Sequence, residues 1–381
     1  MIKTEILNTE GKSPERDRSL AVSSVHLDGF RNYENETVLL SKGFNVLAGK
    51  NAQGKTNFLE AIYLLSTTRL LRGQRDAEAI RQGHSRAIAT VELGESETRL
   101  SVALEAGVRK RASINGLSLP RAADLIGRLP CVCVSTLDMA IVRGEPTDRR
   151  LFLDLELCAL FPAYLRHLTL YKRALEQRNA LLRDSREWMQ PPAIFEPWED
   201  HLAVHGAAMR VARLEFVARL SPLASHSHAQ IGGGEQVRLR MEAKDPAIDA
   251  EALRQALSFS RLTDVARGGT AVGPHRDDLG IEVGNKDARA FGSQGQQRTA
   301  VISLKLASLG IAEQELGVPP LLLLDDILSD LDESRRALLV EAVLEKAGQA
   351  VLTCTEASSA GRKILECARV FEVSEGRVRE S

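Results

Sequence analysis

The chain has 381 residues, more than the ~100–200 of a usual domain, so it holds one large domain with an insertion or two domains. Lys plus Arg total 50 against 51 Asp plus Glu, a net charge of −1, which excludes a uniformly basic polymer-coating protein and leaves room for a local basic patch. No apolar run approaches the ~20 residues that span a bilayer, the start MIKTEILNTEGKSPERDRS lacks the apolar core of a secretory signal, and the 5 cysteines are an odd, scattered set, so a cytoplasmic chain with neither disulfide framework nor membrane contact is expected.

Residues 1–19 show no period and read as a flexible extension. Strands are predicted over AVSSVHLDGF and ETVLLS, joined by the turn-like RNYEN, and over the mostly apolar GFNVLAG. Then Gly49-Lys50-Asn51-Ala52-Gln53-Gly54-Lys55-Thr56 fits GxxxxGK[ST] at every fixed position. TNFLEAIYLLSTTR follows as a helix, with Phe58, Ala61, Ile62 and Leu65 at helical spacing. A glycine loop between strand and helix turns consecutive N–H groups toward phosphate oxygens and adds the helix dipole. Lys55 would reach the β/γ-phosphates and Thr56 would ligate Mg²⁺. The plain alternative is a glycine-rich turn with an exposed lysine, which the strand and helix on either side disfavour. From Arg86 to Leu117 short alternating strands return, with Asn115-Gly116 as a hairpin turn, and LPCVCVS places Cys131 and Cys133 on one strand face as core thiols.

Beyond Val134 the pattern turns helical, with FPAYLRHLTLYKRALEQRNALLRD and FEPWEDHLAVHGAAMRVARLEFVARL separated by Met189-Gln190-Pro191-Pro192, which predicts an antiparallel helical pair. Arg166, His167, Lys172, Arg173, Arg178, Arg183 and Arg186 make this the most basic stretch; it is a solvated helix face or a nucleic-acid contact. A second set of bases stands at Arg69, Arg72, Arg75 and Arg81. His201 and His205 share a helix face, but two nitrogens without an acidic or thiolate partner make a poor metal site. Strand QVRLRME follows. Near Gly273 α/β patterning resumes, with a helix from Gln294 to Leu316, strand PLLLLDD, a helix after Glu333, and strands AVLTCT and ARVFEV. Two distant blocks, 20–145 and 266–381, thus build one sheet around a helical insertion, 146–265.

PLLLLDD is an apolar strand ending in two carboxylates, and ligands bind at the carboxyl ends of buried parallel strands. Asp325 is therefore the expected Mg²⁺ partner, directly or through water, and Asp326 the group that polarises attacking water. Ser293, Gln294 and Gly295 open the helix TAVISLKLASL as a second anion-binding terminus. Alone that segment is an ordinary helix cap.

Together with the phosphate loop and paired acids, SQGQQR resembles the signature of ABC-type ATPases, and Ser329-Asp330-Leu331-Asp332 resembles their D-loop. The short, proline-broken insertion separates the chain from coiled-coil SMC proteins. Phe30-Arg31-Asn32-Tyr33, GEPTDRRLFLD at 144–154, Gln177-Arg178-Asn179 and GPHRDD at 273–278 resemble the RecF family of bacterial replication and repair ATPases. The resemblance implies an α/β ABC-type P-loop head, split by sequence, with an inserted mostly helical lobe. It further implies a cytoplasmic, weak ATPase that dimerises on ATP and Mg²⁺, with Ser293, Gln294 and Gly295 of one copy facing the nucleotide of the other. It also implies binding to duplex DNA or single-strand/duplex junctions at gaps, and work with RecR and RecO in loading RecA. The chain departs from the family pattern at Ser135-Thr136-Leu137-Asp138-Met139, and Thr353 and Thr355 stand where transporter ATPases have a switch histidine. Residues alone leave open whether Arg149 and Arg150 are core ion-pair members or lobe-junction contacts, and whether His275 is structural. Two other readings stay open, a transporter ATPase subunit and a non-hydrolysing DNA clamp.

Overall fold

The computed structural model describes residues 21–72, 75–94, 97–186, 190–232 and 234–381, with Asp330 described by its backbone alone. The extension 1–19 lies outside these residues. Two compact units divide the described chain: 21–139, Leu223–Gln236 and Gln294–Ser381 form one, Ala140–Pro222 and Val237–Ser293 the other. Compared with the 20–145, 146–265 and 266–381 of the sequence reading, this division assigns 140–145, 223–236 and 266–293 differently.

In the first unit, strands β1 (Val22–Phe30), β2 (Tyr33–Leu39), β4 (Arg86–Leu93), β5 (Thr98–Glu105), β6 (Arg111–Ile114) and β7 (Leu117–Ser118) form an antiparallel sheet of order β2-β1-β4-β5-β6-β7. The β1–β2 turn is only Arg31-Asn32, shorter than RNYEN suggests, because Arg31 takes a left-handed φ of 54° and Tyr33 already pairs with Phe30. Asn115 and Gly116, with φ of 51° and 80°, form the expected hairpin turn. The second sheet is β15-β14-β3-β13-β12-β8, built from β3 (Phe44–Ala48), β8 (Cys131–Ser135), β12 (Leu321–Asp325), β13 (Ala350–Cys354), β14 (Ala368–Ser374) and β15 (Arg377–Glu380). All its neighbours are parallel except the β14–β15 hairpin.

The four leucines of β12 are all buried because both faces of this sheet are covered. Leu321 and Leu323 join α1 (Lys55–Thr67) and the antiparallel sheet in one core. Leu322 and Leu324 join α6 (Gln294–Leu316) and α7 (Glu333–Lys346) in another. Helix α1 therefore lies between the two sheets, with Phe58, Leu59, Ile62 and Leu65 fully buried.

In the other unit α2 (Pro146–Leu160), α3 (Pro162–Asp184), residues 192–222 of α4 (Pro192–Gln230) and α5 (Ala250–Arg267) gather with a small antiparallel sheet, β11-β10-β9, of β9 (Val237–Glu242), β10 (Asp278–Val283) and β11 (Lys286–Asp287). Tyr164 meets Arg213, His167 meets His205 and Arg178 meets Glu199, so α3 and α4 run antiparallel. Pro192 opens α4 where its missing N–H costs nothing. Pro197 and Pro222 lie inside the same helix, and Pro222, which removes a helix hydrogen bond, is the last residue of this unit before the chain changes unit.

Charge explains much of this unit's interior. Arg178, fully buried, reaches Glu199 at 3.1 Å, Asp264 at 2.8 Å and the Leu257 carbonyl at 2.9 Å. Arg186 donates to the Val265 and Ala266 carbonyls at the C-terminus of α5. Those two bases are therefore structural, while Arg166, Lys172, Arg173 and Arg183 remain exposed. Arg149 pairs with Asp278 at 2.7 Å, and Arg150 donates to the Asp277 carbonyl at 2.8 Å, which makes the pair interior members of this unit.

Candidate nucleotide site

Strand register brings four carboxyl ends together: Leu47 and Asp325 both stand opposite Thr353, and Asp325 also stands opposite Ser135. Beyond Ala48 the chain turns through the glycine loop. Gly49 donates its N–H to the Cys354 carbonyl at 3.2 Å. Gly54 has φ 120°, and a Cβ there would lie 2.5 Å from Asn32, so only glycine passes. Ala52 also takes a left-handed φ, 65°.

The loop is held from outside. Asn32 Nδ2 donates to the Gln53 carbonyl at 2.8 Å and Tyr33 Oη to the Gly54 carbonyl at 3.0 Å. From the β14–β15 turn, Gly376 N–H donates to the Gln53 carbonyl at 3.1 Å and Glu375 N–H to Gln53 Oε1 at 2.8 Å. Below it, Glu60, fully buried, accepts two bonds from Arg31 at 2.7 and 3.1 Å and one from the Arg72 N–H at 3.1 Å. No local pattern announces these props; the one sequence hint is that Asn32 and Tyr33 sit in a family segment.

Lys55 Nζ donates back to the Gly49 and Lys50 carbonyls at 2.5 and 2.9 Å, the curled pose of a lysine over its own loop. Burial lowers its pKa, against the pull of Asp326. Thr56 Oγ1 donates to Asp325 Oδ1 at 2.9 Å, and Thr353 Oγ1 donates to the same oxygen at 2.8 Å. Asp325 is 7% exposed with hydroxyl partners and no ion pair among the described residues. Burial raises its pKa despite those two hydrogen bonds and nearby Arg72. A hydroxyl and a buried carboxylate short of positive charge are hard oxygen donors suited to a divalent cation that keeps waters and phosphate oxygens as its other ligands. Among the described residues no group of three His, Cys, Asp or Glu could cage a metal ion.

Asp326 follows in a left-handed conformation, φ 53°, with its carboxylate bonded by Ser329 Oγ and its N–H donating to Thr353 Oγ1 at 3.0 Å. Thr353 thus bonds both acids' residues, while Thr355 stands just past β13. Asp332 caps α7 through the Arg335 N–H at 2.9 Å. Asp138 folds its own segment, accepting from Ser135 N–H and Oγ at 2.7 and 2.9 Å and pairing with Lys305 of α6 at 3.4 Å, so STLDM closes into a tight turn. Ser293 and Gln294 are exposed at the start of α6, and Gly295 has Arg335 above it, where a Cβ would lie 2.8 Å from the guanidinium. A cavity of about 530 Å³ in the helical unit, lined among others by Leu214, Met241, Pro246 and Ile248, includes none of these motif residues.

A parallel sheet with a glycine loop on one strand end, paired acids on the next strand but one and a separate glycine-headed helix defines an ATPase head of the ABC type, in its SMC-like form. A family model described as "RecF/RecN/SMC N terminal domain" matches residues 21–378, and the chain belongs to that family, in its RecF branch. It is 41% identical over 346 residues to a DNA replication and repair protein RecF of Symbiobacterium thermophilum, covering 88% of this chain and 91% of that one. It is 39% identical over 367 residues to a RecF of Gloeobacter violaceus, covering 93% and 97%. Among solved structures it matches the recombination mediator protein RecF-ATP of the RecFOR pathway with a TM-score of 0.86 at 29% identity, covering 96% of this chain and 98% of that one. An Smc head domain from Pyrococcus furiosus matches with a TM-score of 0.54 at 16% identity, covering 95% and 96%, a likeness of fold.

Proposed function

We propose that this chain is a DNA-binding protein of recombinational repair and replication restart that closes as a dimer on ATP and hydrolyses it slowly. The observation that carries the reading is the Thr56–Asp325 contact beside the glycine loop. It joins parts 269 residues apart into one phosphate-and-cation site. The loop N–H groups and Lys55 would hold the β/γ-phosphates, Thr56 and Asp325 would hold Mg²⁺, and Asp326 would polarise water. Bound Mg²⁺ would supply charge neutralisation at the β/γ-phosphates. Ser293 and Gln294, exposed on their helix start, and the half-buried Gly295 beside them would complete the site of a second copy. ATP can drive closure only because it would touch both copies. Its relatives' names and the RecFOR pathway of the matched structure support roles at gapped DNA with RecO and RecR upstream of RecA. Binding would be phosphate-directed and salt-sensitive.

Sedimentation with ATP or ADP, with and without gapped DNA, tests this. ATP should produce a dimer that Lys55→Met or Ser293→Arg abolishes; unchanged dimerisation in both variants would sink the composite site. Single-turnover hydrolysis above background separates the ATPase from a clamp that binds ATP without cleaving it.

A further inference from the structure

Strand β13 lies between β3, which feeds the glycine loop, and β12, which ends in the paired acids. Thr353 stands near its carboxyl end, in register with Leu47 on one side and Asp325 on the other, and is 2% exposed. A hydroxyl buried so deeply has to find partners for its hydrogen and its oxygen. It finds both on consecutive residues of the site: Oγ1 donates to Asp325 Oδ1 at 2.8 Å and accepts from the Asp326 N–H at 3.0 Å.

Thr56 Oγ1 donates to the same Oδ1 at 2.9 Å, so both hydroxyls fall on one oxygen, and Asp325 Oδ2 has no hydrogen-bond partner among the described residues. The carboxylate is gripped by one oxygen and offers the other. Asp326 then leaves the strand at a φ of 53°, a left-handed conformation that a residue with a side chain keeps only where its surroundings hold it. Thr353 supplies part of that hold through the Asp326 N–H. One buried hydroxyl therefore orients the first acid and tethers the backbone of the second.

We propose that Thr353 is a positioning residue of the nucleotide site, keeping Asp325 Oδ2 open for a divalent cation and fixing the backbone from which Asp326 acts on water. The inference rests on the ATPase reading above and adds a residue outside both the glycine loop and the acid pair. Thr353 acts through the two acids, as a partner that orients a ligating carboxylate sets cation affinity without touching the cation. Valine has nearly the same shape and can make neither bond. It would leave Asp325 to Thr56 alone and the 325–326 peptide without its tether. Serine keeps the hydroxyl and should keep the role.

The full chain, Thr353→Val and Thr353→Ser are compared by labelled-ATP affinity in EDTA, by paramagnetic resonance of Mn²⁺ bound with ATP, and by single-turnover hydrolysis. Mn²⁺ serves as the probe because it prefers the same oxygen ligands as Mg²⁺. Thr353→Val should bind ATP in EDTA as wild type does, hold Mn²⁺ about tenfold more weakly and hydrolyse about tenfold more slowly. Thr353→Ser should recover both losses to within about threefold. A valine variant with wild-type Mn²⁺ affinity and turnover would overturn the assignment, and so would a serine variant as impaired as the valine one, since packing would then explain the loss. Should Thr353→Val fail to fold by circular dichroism, Thr353→Cys decides, because a thiol is a weak donor and acceptor: a lowered Mn²⁺ affinity supports the role and an unchanged one removes it. Wild type that neither holds Mn²⁺ with ATP nor hydrolyses ATP would refute the ATPase reading itself, and the role of Thr353 with it.

Discussion

The helical unit matches its buried carboxylates to arginines, as the sheet unit matches Glu60 to Arg31, but the sheet unit leaves Asp325 with hydroxyl partners alone. In the helical unit Asp264 and Glu199 meet Arg178, and Asp278 meets Arg149; burial alone would raise the Asp278 pKa, but Arg149 more than offsets it and carries it below the usual range. In the sheet unit Asp325 is buried with two hydroxyls and its pKa goes up. A saturated carboxylate is architecture. The one with hydroxyl partners alone is the carboxylate proposed above to meet a cation.

The contrast can be broken most sharply at Arg178. Arg178→Met leaves Asp264 without its ion pair in the interior, Glu199 keeping Arg261, and should cost about 3–5 kcal/mol in denaturant melts; a loss under ~1 kcal/mol would mean that Asp264 is not an interior charge. Asp325→Asn should do the reverse, lowering ATP turnover about a hundredfold or more while the melting midpoint holds or rises. A midpoint that drops as far as in Arg178→Met would put Asp325 among the architectural acids. Gly54→Ala adds a Cβ against Asn32 at a φ of 120°, so labelled ATP should bind more weakly by about 1–3 kcal/mol; unchanged affinity would show that the loop is free to relax.

Acid sharpens the comparison further. His205 and His275 have folded pKa values of about 4 against an ordinary 6.5, the first through burial, then His167 and His201. The unfolded chain therefore takes protons that the folded chain refuses. Stability is full above about pH 6.5 and is lost as pH falls toward about 4. The melting midpoint should drop across that window, and His205→Gln should flatten the drop; an unchanged profile in that variant would remove His205 as a contributor. Smallest of all, Arg121→Ala breaks the exposed pair with Asp124 and should leave the midpoint of the same melts where it is, since solvent screens such a pair; a clear drop would make the pair part of the fold's support.

Local features were readable and long-range ones were not. The glycine loop, the α6 bounds and the apolar β12 follow from neighbours in sequence, where spacing and composition act. The basic run on α3 misled in part, because the acids that claim Arg178 come from 21 and 86 residues away. Helix α5 and strands β10 and β15 were not singled out; α5 and β15 carry no motif, and β10 only starts on the last residue of GPHRDD. The candidate site was legible as residues, and its props, Asn32, Tyr33 and the 375–376 turn, were not, because they act through backbone carbonyls. A polar side chain that holds another loop's main chain leaves no mark on that loop's sequence.

The bond from Gly376 N–H to the Gln53 carbonyl has a consequence for biosynthesis. Strand β3 needs β13 and β14 on its flanks, so the loop emerges from the ribosome some three hundred residues before the segments that shape it. A nascent chain halted before β14 would carry every residue of the phosphate-loop motif and still lack its finished form. The late pairing is a long-range, slow step, and nucleotide competence would wait until β14 and the turn after it have been made.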